Sequence, residues 1–297
     1  MTPEILVVGD VMTDVIVRPH GPPVRGSDRT ATIREAFGGS GANQAAWIAH
    51  LGGRVAFAGR VGAADAAVQG QALRRHGVTA FLAIDATLPT GRLVTLLDPD
   101  GERSFLTDRG ANAALRRDDL PDSLLDGVGL LHVSGYSLFD AEPRAAVLAF
   151  AAVATGRGLP LTLDAGSAGF LAECGPARFL DWTSGADTLF ANAAEAEALA
   201  GSPDPAVQLA RLTPHFRIVV IKRGAAGAIA AARGGPVHEA AAPATRALDT
   251  TGAGDAFLAG FLLARLESGD LRECLAAGTM QGARAAMLLG GRPSDSH

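Results

Sequence analysis

The sequence has 297 residues, of which 48% are hydrophobic and 19% charged, and this composition excludes a disordered tail or a fibre. The net charge is −5, and a mildly acidic chain lacks the basic surface expected of a dedicated nucleic-acid binder. The apolar stretches reach about ten residues, whereas a transmembrane helix needs about 20. We therefore expect neither a nucleic-acid partner nor a membrane-spanning segment.

The amino terminus enters an apolar run almost at once and carries no basic region followed by a cleavage site, so no secretory signal is visible. Cys174 and Cys274 do not have the spacing of a disulfide or zinc framework. Both features indicate a cytoplasmic protein. No linker divides the chain, and we expect one domain over residues 1–297.

Short β-branched runs alternate with helical patterns along most of the chain. Buried parallel strands are predicted at 5–8, 130–133, 159–163, 188–190 and 218–221, and helices at 142–155, 193–200 and 205–212. A hairpin follows at 227–242, and two long helices are predicted at 253–267 and 271–289. This alternation favours an α/β fold with a central, mostly parallel sheet flanked by helices.

Two early stretches, 15–37 and 90–107, interrupt this alternation with short strands separated by Pro, Gly and charged residues. They can pair as a small sheet on the edge of the main one. Inserted strands at that place often form a lid over a site at the carboxyl ends of the parallel strands. They can equally be plain edge strands, and periodicity does not separate the two interpretations.

The strongest motif is DTTGAGDAF at 249–257, a glycine loop that runs directly into an amphipathic helix. Its glycines allow successive amides to point into one concavity at the helix amino terminus, which suits a phosphate. Asp255 lies in the first turn, where it can accept a proton from a hydroxyl that attacks the phosphate. The alternative is that Asp255 merely caps the helix, and this motif alone favours neither interpretation.

A second glycine loop, FGGSGANQA at 37–45, also enters a helix. Gly39 lets the backbone approach a ligand closely, and Asn43 offers a donor and an acceptor to hydroxyl groups. Asp14, shortly after the first strand, can accept hydrogen bonds from sugar hydroxyls. Each has a simpler alternative, a loop packed on the sheet for the first two and a turn residue for Asp14.

Together these segments resemble the PfkB carbohydrate kinase family, also called the ribokinase family, over essentially the whole chain. Segments 38–43 and 249–255 resemble its first and second signatures, and the second is highly specific. The residues from Asn192 to Glu195 match the family's Asn-x-x-Glu motif. KRGAAG at 222–227 resembles the glycine-containing segment that lines the nucleotide site. The four motifs stand in the family's order.

The resemblance implies a ribokinase-like three-layer fold with a small β-strand lid, and a role for each matching residue. Asp255 would be the catalytic base, and the amides of Gly252, Ala253 and Gly254 would form the anion hole. We expect the helix dipole and these amides to keep Asp255 ionised as a weak, well-placed base. The other implied positions are Asp14, Gly39 and Asn43 for the sugar; Asn192, Lys222, Gly224 and Gly227 for the nucleotide; Glu195 for Mg²⁺ through water; and Asp249 and Thr251 for a monovalent cation such as K⁺.

The sequence departs from ribokinases at two positions, Ser40 and Met12, and the segment 108–113 points both ways, since its GANA at 110–113 resembles ribokinases. Ser40 stands where they tend to have lysine, and Met12 stands where they often have asparagine, which weakens an assignment to ribose. Arg109 resembles the arginine with which keto-deoxy sugar-acid kinases meet their substrate, and it could bind a carboxylate or a phosphate. The alternative, which we favour, is that Arg109 is a solvated cation of the loop.

The sequence thus predicts an enzyme that uses ATP and Mg²⁺ to phosphorylate a primary hydroxyl of a small sugar. The alternatives within the family are a kinase of 2-keto-3-deoxy sugar acids or of nucleosides. An alternative of another class is a non-catalytic regulator that binds a sugar or a nucleotide. Because lid strands in this family often pair between subunits, the resemblance also implies a homodimer.

Overall fold

The computed structural model describes residues 4–22, 24–97 and 103–294. Parts of the predicted strand regions, residue 23 and residues 98–102, lie outside this range. Thirteen strands occur in the described part of the chain. They are β1 (Glu4–Val8), β2 (Met12–Pro19), β3 (Ala31–Gly38), β4 (Val55–Gly62), β5 (Thr79–Asp85), β6 (Gly91–Leu97), β7 (Arg103–Asp108), β8 (Val128–Val133), β9 (Leu161–Asp164), β10 (Thr188–Asn192), β11 (Ile218–Lys222), β12 (Ala228–Ala232) and β13 (Val237–Ala240).

The α-helices of the described residues lie mostly between the strands of the main sheet. They are α1 (Ser40–His50), α2 (Ala66–Arg75), α3 (Ala141–Gly156), α4 (Ala168–Cys174), α5 (Pro176–Trp182), α6 (Ala193–Ala200), α7 (Pro205–Leu212), α8 (Ala253–Glu267) and α9 (Leu271–Ala285). Helices α6, α7 and α8 have the predicted bounds. Among these described helices, none is long and apolar enough to cross a membrane.

The main sheet has nine strands in the order β13-β12-β11-β10-β9-β8-β1-β4-β5. Strands β11 to β5 of this order run parallel, and β12 and β13 are antiparallel additions at one edge. The predicted α/β fold with a mostly parallel central sheet is confirmed. Parallel order brings the carboxyl ends of the strands to one side, where ligand sites of such sheets form.

Both faces of the main sheet are covered, and strand β1 shows how. Its residues alternate in direction, so Leu6 and Val8 pack in one apolar cluster with α3 to α7, whereas Ile5 and Val7 pack in a second cluster with α1, α8 and α9. All four side chains are fully buried. A strand buried on both sides reads as a continuous apolar run, which is why β1 is recognisable in the sequence.

The sequence does not predict β4, α2 and β5, and it makes α9 too long. Strand β4 contains Arg60, which is buried and forms ion pairs with Asp85 at 3.0 Å and Asp119 at 2.7 Å. A buried cation with distant partners conceals the apolar pattern of a strand. Helix α9 ends at Ala285, where the chain tightens into a turn: the amide of Met287 donates to the Arg284 carbonyl at 3.2 Å and that of Leu288 to the Ala285 carbonyl at 2.9 Å.

A second sheet of four strands has the order β3-β2-β6-β7. Strand β2 pairs antiparallel with β3 and parallel with β6, and β7 pairs antiparallel with β6. Because β2 begins only four positions after β1 ends, this sheet is placed beside the carboxyl ends of the main sheet's strands. Large apolar side chains are exposed on its outer strands, Ile33 on β3 and Phe105 on β7.

Candidate active site

A cavity of about 270 Å³ lies where the carboxyl ends of the parallel strands meet the second sheet and the amino termini of α1 and α8. Both glycine motifs therefore open into one space, although more than 200 residues separate them. The described residues that line it are Asp10, Met12, Asp14, Gly39, Ser40, Asn43, Gln44, Leu93, Thr107, Arg109, Tyr136, Asp164, Gly166, Glu195, Lys222, Thr251, Gly252 and Asp255.

Most residues predicted for the site line this cavity. The exceptions are Asn192, Gly224, Gly227, Asp249, Ala253 and Gly254, each of which is close in the chain to a residue of the described lining. Asp10, Gln44 and Asp164 also line the cavity, and the sequence did not single them out. Asp10 and Asp164 stand at the carboxyl ends of predicted strands, a position that could have indicated them.

The loop before α8 is fixed by Gly252. This residue caps the helix with a φ of 76°, and a Cβ at this position would lie 2.2 Å from the carbonyl oxygen of Gly291. Only glycine fits such a close approach. The amide of Ala253 donates to the carbonyl of Thr250 at 3.2 Å, which engages it in the turn. The amides of Gly252 and Gly254 are therefore the better candidates for an anion site.

Asp255 lies in the first turn of α8 and its Oδ1 accepts a hydrogen bond from the Ser40 hydroxyl at 3.0 Å. The pKa of Asp255 is raised to about 7, chiefly by burial and to a smaller extent by the nearby Asp164, while Lys222 lowers it. This raised pKa contradicts the expectation that Asp255 is a weak base, because burial disfavours its ionised form. A pKa near neutrality suits a general base.

Asp14 lies on β2 and is 8% exposed. Burial raises its pKa to about 6, although the positive charge of Arg292 lowers it. The Oδ1 atom of Asp14 is buried and has no hydrogen-bond partner in the described structure. A buried acceptor atom that receives no hydrogen bond lowers the stability of the folded protein. A ligand hydroxyl that donates to this oxygen would remove that cost.

Arg292 reaches the same region from the carboxy-terminal loop. It is 8% exposed, and it donates from Nε to Asn43 Oδ1 at 3.1 Å and from Nη2 to the carbonyl of Gly38 at 2.9 Å. Nothing in the sequence of this loop, GGRPS at 290–294, singles out Arg292. No local signal could reveal it, because its partners lie about 250 positions earlier in the chain.

The predicted nucleotide positions lie at the ends of β10 and β11. Asn192 and Glu195 form a capping box at the start of α6, and Lys222 pairs with Asn192 in the sheet register. Gly227 has a φ of 84°, and a Cβ there would lie 2.0 Å from the carbonyl oxygen of Ala240. Gly227 is thus required by the fold itself, whatever further contact it makes. Gly224 begins the short turn Gly224–Ala226.

Glu195 is the residue predicted to organise Mg²⁺. Burial raises its pKa to about 7, so a nearby cation would stabilise its ionised form. Both of its carboxylate oxygens accept hydrogen bonds from Asn192, at 2.8 and 2.7 Å. No group of three or more His, Cys, Asp or Glu side chains suited to hold a metal occurs within the described ranges. These residues fit Mg²⁺ only where phosphates and water supply most of its ligands.

Asp249 connects the loop before α8 to the carboxy-terminal loop. Its Oδ1 accepts from the amide of Thr251 at 2.8 Å, and its Oδ2 accepts from the amide of Gly290 at 3.0 Å. The carboxy-terminal loop is also held by the indole of Trp47, which donates to the carbonyl of Gly291 at 3.0 Å. The predicted cation-binding segment is thus a junction between two loops.

Arg109 lines the cavity and forms an ion pair, although its buried Nη2 has no hydrogen-bond partner in the described structure. Its Nε lies 2.7 Å from Asp140 Oδ2, and its side chain is 12% exposed. The interpretation of Arg109 as a solvated cation does not describe this contact. A guanidinium neutralised by a carboxylate also has less attraction for the acid group of a substrate.

Comparison with known proteins identifies the family to which this chain belongs. The family model described as "pfkB family carbohydrate kinase" matches residues 2–294. A fructokinase from Klebsiella pneumoniae is 31% identical, over 93% of this chain and 89% of its own. An aminoimidazole riboside kinase from Salmonella typhimurium is 29% identical, over 87% of this chain and 80% of its own. The structure of Arabidopsis thaliana ribokinase complexed with ribose and ATP has a TM-score of 0.82 and 27% identity, over 98% of this chain and 94% of its own.

Proposed function

Because the chain belongs to the PfkB family of carbohydrate kinases, we propose that it transfers the γ-phosphate of ATP to a primary hydroxyl of a small sugar. Its relatives include sugar kinases and a kinase of a riboside, so the chain is a phosphotransferase that acts on hydroxyl groups of sugars or nucleosides. The choice of a small sugar and the roles of individual residues are the substance of the proposal.

One observation carries the proposal. Asp255, at the amino terminus of α8, faces the same cavity as Asp14 and Asn43. In the proposed roles, this carboxylate, with a pKa near 7, shares one cavity with the loop that binds the anion and with the side chains that bind hydroxyl groups. Phosphoryl transfer passes through a loose transition state, and its catalysis depends chiefly on such positioning and on charge stabilisation.

The transfer step follows from this arrangement. The acceptor hydroxyl gives its proton to Asp255 as its oxygen bonds to the γ-phosphorus, and the bond from that phosphorus to the oxygen bridging to ADP breaks. The amides of Gly252 and Gly254 stabilise the negative charge that spreads over the phosphoryl oxygens. Asp14 and Asn43 hold the other hydroxyls, so that the attacking oxygen is aligned.

Two cations belong to the proposal. Mg²⁺ would neutralise charge on the β- and γ-phosphates, and Glu195 would orient its water ligands. The loop junction formed by Asp249 and Thr251 would accept a monovalent cation such as K⁺. Lys222, whose charge lowers the pKa of Asp255 and of Glu195, is placed to contact the phosphates of the nucleotide.

A small sugar is the first candidate acceptor because the relatives include a fructokinase and a ribokinase. The 29% identity to an aminoimidazole riboside kinase keeps a riboside as the second candidate. The ion pair between Arg109 and Asp140 gives no support to a sugar-acid substrate.

We also propose that residues 1–297 form one kinase domain and that the second sheet is its lid. Leu93 on β6 and Thr107 on β7 line the cavity together with Asp14 on β2, so this sheet already covers one side of the site. Closure of the lid would exclude water and limit hydrolysis of ATP. The exposed apolar residues of the lid sheet support pairing of two copies through it.

A coupled assay of ADP release tests the proposal. It uses Mg²⁺-ATP with and without K⁺, across pentoses, hexoses, keto-deoxy sugar acids and nucleosides. We expect one class of small sugar to raise ADP release well above the background of ATP hydrolysis. Turnover of nucleosides or sugar acids alone would overturn the choice of acceptor. Binding of sugar or nucleotide without turnover of any acceptor would favour the non-catalytic regulator.

A further inference from the structure

Four polar side chains in the lining of the cavity form a continuous chain of hydrogen bonds. Ser40 Oγ lies 3.0 Å from Asp255 Oδ1, and Gln44 Nε2 lies 2.9 Å from Ser40 Oγ and 2.6 Å from Asp164 Oδ2. Ser40 and Gln44 are one turn apart on α1, so they lie on the same face of that helix. Helix α1 thereby connects Asp255 on α8 to Asp164 at the end of β9.

The direction of each hydrogen bond in this chain is fixed by chemistry. An ionised carboxylate can only accept, so Ser40 must donate its single proton to Asp255. The amide of Gln44 has two protons, and they serve Asp164 and the Ser40 oxygen. Each proton in the chain is used once, and rotation of the Ser40 side chain about its Cα–Cβ bond would break both of its hydrogen bonds.

The far end of this chain is firmly held. Gln44 is 2% exposed, and Asp164 also accepts from the amide of Gly135 at 3.0 Å. The buried His132 ring lies beneath Asp164, with its Nε2 3.6 Å from Asp164 Oδ2. At its other end, the Ser40 amide donates to Asp10 Oδ2 at 3.3 Å. The hydroxyl that meets Asp255 is therefore fixed by neighbours from several elements.

We propose that Ser40, oriented by Gln44, is a positioning residue that commits Oδ1 of Asp255 and leaves Oδ2 as the atom that takes the proton from the acceptor hydroxyl. This inference rests on the proposed function. Asp255 carries one hydrogen bond on Oδ1, and the lining of the cavity includes both Ser40 and Asp255. A carboxylate held at one oxygen keeps a single orientation, which general-base catalysis requires.

The hydrogen bond also tunes the base. Donation from Ser40 favours the ionised form of Asp255 and lowers its pKa, against burial and the charges of Asp164 and Asp10, which raise it. Lys222 is the cation that faces the carboxylate, and its charge also lowers the pKa. Removal of the hydroxyl should therefore raise the pKa of Asp255 above about 7 and leave its side chain free to rotate.

The test uses Ser40→Ala, with Ser40→Thr as the variant that restores the hydroxyl and Ser123→Ala, an exposed serine, as the matched control. Asp255 is observed in the free protein by ¹³C NMR of labelled aspartate, with the signal assigned by its loss in Asp255→Asn. We expect Ser40→Ala to raise the pKa of Asp255 by a measurable fraction of a unit or more. Ser40→Thr should restore it, and Ser123→Ala should leave it unchanged.

Kinetics provide the second readout. We expect Ser40→Ala to lower kcat about tenfold and to move the acidic limb of the kcat profile to higher pH, with the KM for the sugar within about twofold of wild type. A raised KM with unchanged kcat, or an unmoved pKa of Asp255 in the NMR titration, would overturn the proposal and make Ser40 a substrate contact. Wild-type protein that turns over no acceptor would instead refute the proposed function, while the NMR titration still decides the role of Ser40 in holding Asp255.

Discussion

Replacement of Arg292 by methionine tests whether the carboxy-terminal loop controls the sugar site. The change removes two hydrogen bonds from a charged donor, to Asn43 Oδ1 and to the Gly38 carbonyl. Each such bond contributes about 1.5–3 kcal/mol, and the two acceptors are left buried. Burial of the Arg292 guanidinium is itself unfavourable and lowers its pKa to about 10. Removal of this buried charge offsets part of the loss. We expect a net loss of about 3 kcal/mol in the free energy of unfolding.

The same change should alter how sugar binding depends on pH. The pKa of Asp14 is raised to about 6, so its ionised form, which we propose accepts hydrogen bonds from sugar hydroxyls, is lost as the pH falls through about 6. Arg292 lowers this pKa. Its removal should raise the pKa further, and the loss of affinity should begin at a higher pH than in wild type.

The assay is isothermal titration with the sugar between pH 5 and 8. It uses an Asp255→Asn background, which removes the titration of Asp255 from the profile. Unfolding by urea gives the stability. Arg233→Met is the matched control, because Arg233 also donates two hydrogen bonds, in its case to the backbone carbonyls of Thr213 and Pro214, but is exposed. An Arg292→Met protein that keeps wild-type stability and the same pH dependence of sugar affinity would refute this reasoning.

Three further predictions concern other parts of the molecule. Gly252→Ala should lower kcat at least tenfold, because its Cβ would meet the Gly291 carbonyl at 2.2 Å and displace the anion-binding loop; a kcat within twofold of wild type would contradict this. Light scattering at micromolar concentration should give a dimer mass, and Phe105→Arg should reduce it to that of a monomer; a monomeric wild type would exclude the dimer. Chelation of Mg²⁺ by EDTA should abolish ADP release and added Mg²⁺ should restore it, whereas turnover that persists in EDTA would remove the role assigned to Glu195.

Local patterns predicted much of the fold. Helices α6, α7 and α8 and the central strands follow from apolar periodicity and the residues that end each element. Strand β4 did not follow, because Arg60 is stabilised there by Asp85 and Asp119, which are distant in sequence. A charged residue within an apolar run predicts a solvent-exposed segment unless the residues that form ion pairs with it are known.

The residues of the site likewise divide into those that local motifs indicate and those that only the folded structure reveals. The two glycine motifs indicated Asp255 and Asn43, since each stands at a fixed offset from a helix start. The raised pKa of Asp255 could not be read from the motif, because it depends on burial and on Asp164. Arg292 joins the site through contacts with residues near the other end of the chain, and only the folded structure brings them together.

The most direct test of the proposed function is the turnover of Asp255→Asn. This substitution keeps the shape of the side chain and removes the proton acceptor. Binding of sugar and of ATP, measured by titration, should stay within a few-fold of wild type, while kcat for ADP release falls about a thousandfold. A variant that binds both ligands and keeps kcat within a few-fold of wild type would contradict the assignment of Asp255 as the base.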